Sequence, residues 1–228
     1  MLSLDIHVHS EASFDGRDSV DLLLEQAEAV GLDGIAITDH DKMWASHEAV
    51  QRGPLYDLVV IPGMEVSTAD GHVLALGVEN EIRPGLSFTE TVALIRDDGG
   101  IAVVPHPYQR SRSGVLANIS TDELATADAI EVYNSRLLTG RSNRQARQFA
   151  KRRGLPMTAG SDAHICEMVG QAVTKVDPPE KTVDAILDEI RAGRTVVEGK
   201  RTPWRISFGQ AAGGLRRRVV SRLSRSGD

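Results

Sequence analysis

Short apolar runs alternate with amphipathic stretches from one end of the chain to the other. The runs at 4–8, 34–38, 58–62, 72–77, 101–105, 129–133, 157–160 and 195–198 read as strands. They are continuous rather than alternating, as expected of strands covered by helices on their outer face. Between them the apolar residues recur at helical spacing. Ser19 suits the N-cap of a helix over 20–30, with Leu23, Leu24, Ala27 and Val30 on one face and Gly31 as its stop. A second helix is predicted over 87–96, carrying Phe88, Val92 and Ile95. Two more run over 143–153, ending at Gly154, and over 182–192, ending at Gly193. Strands that alternate with helices of this length imply parallel βαβ units. Seven or eight such units with no long linker leave a closed barrel or a doubly wound open sheet. No Gly-x-Gly-x-x-Gly or P-loop is present. The nearest approach, 193–201, is one residue too long and lacks Ser or Thr after Lys200. That favours the α/β barrel in a single domain.

Length agrees, because 228 residues suit one α/β barrel. A net charge of −6 gives no overall pull toward nucleic acid or anionic lipid. A single cysteine, Cys166, excludes a disulfide framework and a cysteine-rich metal site. The N-terminal Met1-Leu2-Ser3-Leu4 has no signal-peptide pattern, and no run approaches the ~18 apolar residues of a membrane span. A cytoplasmic location is expected. The C-terminal 209–228 differs in character: Leu215, Val219 and Leu223 fall at i, i+4, i+8 among arginines. It reads either as a basic amphipathic helix for membrane or RNA, or as a terminal helix docked on the barrel or frayed.

The seven histidines carry the chemistry. His7 and His9 are two apart on the first strand, so both face one side. Asp162 and His164 repeat that spacing after the strand at 157–160. His40 follows the strand at 34–38, Glu65 the one at 58–62, and His106 the one at 101–105. His72 begins a strand, and Asp15 lies in the loop after the first. In a parallel barrel the C-terminal strand ends form one rim, where active sites are built. Nine ligand-type side chains are thereby expected at one mouth, and only His47 stands apart. Imidazoles and carboxylates without thiolates suit Zn²⁺, Mn²⁺ or Fe²⁺. Two or three such ions, with Glu65 as a bridge, can acidify a shared water and clamp an in-line displacement at phosphorus.

The motifs His7-Val8-His9-Ser10, Ser13-Phe14-Asp15-Gly16, Thr38-Asp39-His40, Gly63-Met64-Glu65, Gly71-His72-Val73-Leu74, His106-Pro107 and Gly160-Ser161-Asp162-Ala163-His164 resemble, in order, those of the PHP (polymerase and histidinol phosphatase) domain family. Glu131-Val132-Tyr133-Asn134 is similar as well, and the likeness covers about three quarters of the chain. The resemblance implies a distorted (β/α)7 TIM-like barrel over 1–208, with core motifs in 5–170 and a PHP-associated part at about 128–208. It implies a trinuclear centre in which His7, His9, Glu65 and Asp162 hold one ion, Asp15, His40 and His164 a second, and Glu65, His72 and His106 a third. Asp15, where some relatives carry His, is similar to the branch acting on small phosphomonoesters and nucleotides. Relatives that process nucleotide bisphosphates or short RNA carry a sizeable insertion between the third-ion histidines. Here His72 and His106 are joined by a single strand–helix–strand unit.

A metal-dependent phosphoesterase follows as the expected function, with a metal-bridging hydroxide attacking the phosphorus of a small phosphorylated substrate. Asp162 and His164 are the expected catalytic residues, Asp162 orienting the nucleophile. Arg110 and Arg112, then Arg136 and Arg141, are the candidate phosphate clamps, since Arg suits bidentate recognition. Cys166 is read as a reduced neighbour of the site, Ser161 as no triad serine, and Trp44 and Trp204 as core. Three alternatives remain. One is an exonuclease-like hydrolase of short oligonucleotides. Another is an amidohydrolase-type C–N hydrolase, although Lys42, Lys151 and Lys175 do not sit at strand ends as a metal-bridging lysine would. The last is a non-catalytic metal-bound docking module.

Overall fold

The computed structural model describes residues 1–109, 114–136 and 140–200. Ten strands and six α-helices succeed one another as β1 (Leu2–Val8), α1 (Val20–Ala29), β2 (Gly34–Ile37), α2 (Trp44–Arg52), β3 (Val59–Val60), β4 (Gly63–Ser67), β5 (His72–Leu76), α3 (Phe88–Asp97), β6 (Ile101–Val104), α4 (Thr121–Leu124), β7 (Ala129–Asn134), α5 (Gly140–Arg153), β8 (Met157–Gly160), β9 (Ala172–Val176), α6 (Val183–Arg191) and β10 (Val196–Gly199). The predicted cap lies where the sequence puts it, and a second appears where the sequence began a helix. Ser19 opens α1, and Ser87 opens α3 in a reciprocal capping box with Glu90.

The strands form two five-stranded sheets, ordered β10-β9-β1-β2-β3 and β4-β5-β6-β7-β8. The ladders do not run on as one closed parallel barrel. β4–β5, β5–β6 and β1–β9 are antiparallel. The reason is local: Ser67 and His72 are joined by a tight turn in which the Thr68 N–H donates to the Gly71 carbonyl at 2.9 Å. A parallel pairing needs a crossover of a dozen residues or more. Both edge strands of the second sheet instead meet the middle of the first through single parallel bridges, Ala163 just past β8 with Val8 of β1, and Glu65 of β4 with His40 just past β2. Backbone bonds seal these seams, His9 N–H to Ala163 O at 2.8 Å and Glu65 N–H to Asp39 O at 3.1 Å.

The sheets are packed on both sides. Leu23, Leu24 and Ala27 of α1 and Ala49 of α2 cover Ile35 and Ile37. Phe88, Val92 and Ile95 of α3 and Phe149 of α5 cover Ala102, Val104, Ile130 and Val132. Ile186, Leu187 and Ile190 of α6 close over Leu4, Leu74, Leu76 and Val103. Trp44, expected in the core, is 54% exposed because it opens α2 on its outer side. Trp204 and the whole of 209–228 lie outside the described residues.

Candidate metal centre

Each ligand-type side chain reaches the cluster from a strand or its flank. His7 lies within β1, and His9 just beyond it. His40 follows β2, His106 follows β6, and Asp162 and His164 follow β8. Glu65 sits in mid-strand on β4, a strand the apolar pattern did not separate from the run before it. His72 arrives at the N-terminal end of β5, since that strand runs opposite to β4 and brings its start to the same rim. Asp15 hangs in the β1–α1 loop.

Glu65 is the centre. Its Oε1 lies 2.9 Å from His72 Nδ1 and 3.4 Å from His106 Nε2. Its Oε2 lies 3.2 Å from His9 Nε2, 3.4 Å from His7 Nε2 and 3.6 Å from His40 Nδ1. Asp162 Oδ1 stands 3.3 Å from His164 Nδ1, 3.7 Å from His9 Nε2 and 4.0 Å from His7 Nε2. Asp15 Oδ2 is 2.6 Å from His164 Nε2 and 3.8 Å from His40 Nε2. All nine residues thus share one cluster. Within it the ligand atoms of four triplets approach within 4.8 Å: His7–His9–Glu65, His9–Asp15–His164, His40–Glu65–His72 and His7–His106–Asp162.

The donor set fits divalent cations. His9 is fully buried, yet neither ring nitrogen has a hydrogen-bond partner among the described residues, and the same holds for His40 Nδ1 and His106 Nδ1. Orphaned buried nitrogens of this kind are costly unless something binds them. Burial and the neighbouring His164 push the His9 pKa down, and burial does the same for His40. Burial would raise the pKa of Glu65, but His7, His106 and His40 outweigh it and hold the carboxylate ionised. Asp15 is likewise held ionised against its burial, chiefly by His164. Neutral imidazole and ionised carboxylate are the ligand forms. His7 and His72 are raised despite burial, by Glu131 and Glu65 respectively. A metal ion would displace those protons.

A second layer orients the first. Glu131 of β7 accepts from His7 Nδ1 at 2.9 Å, from the His106 N–H at 3.0 Å and from Asn134 Nδ2 at 3.0 Å. A carboxylate only accepts, so Glu131 holds a proton on His7 Nδ1 and leaves Nε2, whose own proton faces Glu65, as the nitrogen a metal ion would take on displacing that proton. Asn134 also donates to Asp162 Oδ2 at 3.2 Å. Asp5, buried behind His7, accepts from the Ser161 N–H at 3.0 Å and the Gly170 N–H at 2.8 Å, pinning both ends of the loop that carries Asp162 and His164. Burial pushes its carboxyl up to about 6. Gly160 is obligatory: a Cβ there would overlap His7 Cβ and lie 2.8 Å from Glu131 Oε1. His106 and Asp162 both have left-handed backbone, at φ 32° and 54°. Such conformations cost about 1–3 kcal/mol each and gather at functional sites.

Of the candidate arginines, Arg136 joins the cluster: its Nη1 lies 3.1 Å from Asp162 Oδ1 and 2.6 Å from His164 Nε2. Arg141 is exposed on the first turn of α5. Arg110 and Arg112 lie outside the described residues. His47 is exposed on α2. Ser161 Oγ points at the His7 carbonyl, 3.4 Å away, not at a base. Burial and Asp18 push the Cys166 thiol up to about 11, which leaves it an inert thiol. Glu131 and Asp5 had no assigned role in the sequence. The signal that marks them is an acidic residue inside an otherwise apolar strand.

Comparison with known proteins agrees with the geometry. A family model described as PHP-associated matches residues 140–195. The uncharacterized protein MJ1587 of Methanocaldococcus jannaschii is 30% identical over 144 residues, 59% of this chain and 82% of that protein. The phosphoribosyl 1,2-cyclic phosphate 1,2-diphosphodiesterase of Eggerthella lenta is 40% identical over 81 residues, 33% of this chain and 30% of the enzyme. A solved two-domain protein of Bacteroides vulgatus, described as containing a predicted PHP-like metal-dependent phosphoesterase, superposes with a TM-score of 0.74 at 20% identity. The match covers 87% of this chain but spans only 64% of that one, so the likeness is to part of it. Among the described residues no helix is long and apolar enough to cross a membrane.

Proposed function

The chain belongs to the PHP family of metal-dependent phosphoesterases, and from that membership we propose that it hydrolyses a small phosphomonoester, a nucleotide or a phosphorylated metabolite. The observation that carries this is Glu65, whose two oxygens face five imidazoles, one of them the wholly buried His9, whose ring nitrogens have no hydrogen-bond partner among the described residues. His7, His9, Glu65 and Asp162 would hold one of two or three ions, Asp15, His40 and His164 the next, and Glu65, His72 and His106 a third. The observed triplets cut across the last two sets: His9 joins Asp15 and His164, His40 joins Glu65 and His72, and His106 joins His7 and Asp162. Mn²⁺, Zn²⁺ or Fe²⁺ bound there would acidify a water and place positive charge against the phosphate oxygens. The second sheet, bridged at both its edges to β1 and β2 of the first, then completes with them a distorted barrel whose rim is the site.

The remaining work falls to the chain's own groups. Arg136 binds the phosphate. Its Nη1 reaches the cluster, while its buried Nε has no hydrogen-bond partner among the described residues, and a phosphate oxygen would supply one. Asp162, held by Asn134 and Arg136, orients the attacking water and receives its proton. Glu131 keeps His7 in the ligand tautomer. Residues about 128–208 form the PHP-associated part of this unit.

Elemental analysis of protein purified without chelators should find two or three transition-metal ions per chain. Metal-loaded protein should release phosphate from an aryl phosphate, and His9→Asn or Asp162→Asn should abolish that release. Fewer than one ion per chain, or full activity in both variants, would overturn this function.

A further inference from the structure

We infer that Phe14 is a stacking platform at the mouth of the metal centre for a planar, aromatic portion of the substrate's alcohol. The inference rests on the phosphoesterase function above and specifies its substrate class. Phe14 is 81% exposed, although Ser13 and Gly16 on either side are buried and Asp15 is half-buried. An exposed apolar residue alone is ordinary. This one is placed by chemistry. Its ring stacks on the His40 imidazole, centroids 4.8 Å apart and planes 22° from parallel. The next residue in the chain is Asp15, whose Oδ2 lies 2.6 Å from His164 Nε2. Arg136 Nη1 lies 2.6 Å from the same His164 Nε2. Arg136, His164, Asp15, His40 and Phe14 thus form an unbroken run of contacts from the phosphate clamp to the ring, along which a phosphate ester would place its alcohol.

The platform is fixed before anything binds. The Ser13 N–H donates to the Ser10 carbonyl at 3.1 Å, Ser13 Oγ donates to Asp15 Oδ1 at 2.9 Å, and the His40 N–H donates to Ser13 Oγ at 3.5 Å. Gly16 packs so close to Ser10 that a Cβ would overlap the Ser10 carbonyl oxygen. Preorganisation of this kind removes the ordering cost that a mobile aromatic would incur on binding. One face of the phenyl ring lies on His40, and the 81% exposure leaves the ring open to solvent elsewhere. A flat π-system can cover that open surface, shed water from both partners and take the offset-stacked arrangement aromatic pairs prefer. A saturated alcohol such as glycerol cannot.

The test uses the full chain loaded with Mn²⁺ and three phosphomonoesters: 4-nitrophenyl phosphate, adenosine 5′-monophosphate and glycerol 3-phosphate. Read as the ratio of kcat/KM for a planar ester over glycerol 3-phosphate, Phe14→Ala should lose roughly 5- to 150-fold, mostly in KM, as aromatic stacks do when truncated. Phe14→Leu should lose a similar factor, because it restores apolar area but no π-face. Phe14→Trp should keep or raise the ratio. A loss confined to the aryl ester would put the ring directly on the ester oxygen; a loss confined to the nucleotide would put a nucleobase on the platform. If Phe14→Ala leaves both ratios unchanged while phosphate is still released, the inference is overturned and the phosphoesterase function stands. If the wild-type chain releases phosphate from none of the three, that function falls and the platform falls with it.

Discussion

Replacing Glu131 by glutamine tests how this centre is built, because the change keeps shape and removes only one acceptor oxygen. Three donors converge on the carboxylate: His7 Nδ1 at 2.9 Å on Oε1, and the His106 N–H and Asn134 Nδ2 at 3.0 Å each on Oε2. Glutamine offers one acceptor and two N–H groups. With its oxygen toward His106 and Asn134, its NH₂ meets His7 Nδ1. His7 must then accept at Nδ1 and carry its proton on Nε2, the nitrogen 3.4 Å from Glu65. With the amide reversed, NH₂ meets two buried donors, at about 1–3 kcal/mol for each group left unsatisfied. Either orientation removes a metal ligand or weakens the loop that holds His106. The expected result is a 10- to 100-fold loss of metal affinity, the usual cost of removing an outer-shell partner of a metal-bound histidine. For a chain of this length, about 1–3 kcal/mol also lowers Tm by about 2–12 °C. Calorimetric titration of chelator-stripped protein with Zn²⁺, alongside thermal melts, reads both. A Glu131→Gln variant with affinity and Tm equal to wild type would refute the tautomer assignment and the supporting role of β7.

Chelation should lower the Tm of metal-loaded protein and added metal should restore it. At a hundredfold excess over Kd the ligand contributes about 2.7 kcal/mol, or roughly 5–11 °C here; a melt indifferent to both would argue against a metal centre. Gly160→Ala should destabilise by about 1–3 kcal/mol and weaken metal binding, since its methyl would drive into His7 and Glu131; unchanged calorimetry would contradict the close packing. Asp5→Asn leaves one acceptor for the Ser161 and Gly170 N–H groups and should cost about 1–3 kcal/mol in urea unfolding. An unshifted midpoint would mean that the loop is not held there. Arg136→Ala should raise KM for phosphate esters more than tenfold while metal stoichiometry stays at the wild-type value; an unaltered KM would remove Arg136 from the phosphate site.

The helices were legible because their ends carry side chains that cap them: Ser19 and Ser87 accept from the first turn, and Glu90 reaches back to Ser87. The nine clustered side chains were legible because His-x-His and Asp-x-His place His7, His9, Asp162 and His164 in pairs on one face, and the other five fall at strand ends or in the loop after β1. What stayed hidden depends on contacts between distant parts of the chain. β4 is separated from the preceding apolar run by Pro62 alone, so Glu65 reads as a residue after a strand rather than within one. The antiparallel β4–β5 hairpin replaces an expected crossover because the turn at Thr68–Gly71 is too short, which no apolar pattern expresses. β9 pairs with β1 over 170 residues of chain and borrows its register from there. Glu131 has meaning only once His7, 124 residues away, lies beside it.

The hairpin also sets an order of events. Glu65 and His72 are seven residues apart and paired across one short turn, whereas His7 needs Glu131, and His9 needs the Ala163 carbonyl to close its seam. Contacts between near neighbours in sequence form ahead of those that must close long loops. The hairpin part of the centre can therefore assemble while the chain ends are still apart, whereas Asp162 and His164 join it only once β8 meets β1. Completion of the centre then marks the moment the chain has closed on itself, and a chain cut before Gly160 would lack Asp162, His164 and the seam that joins them to His9.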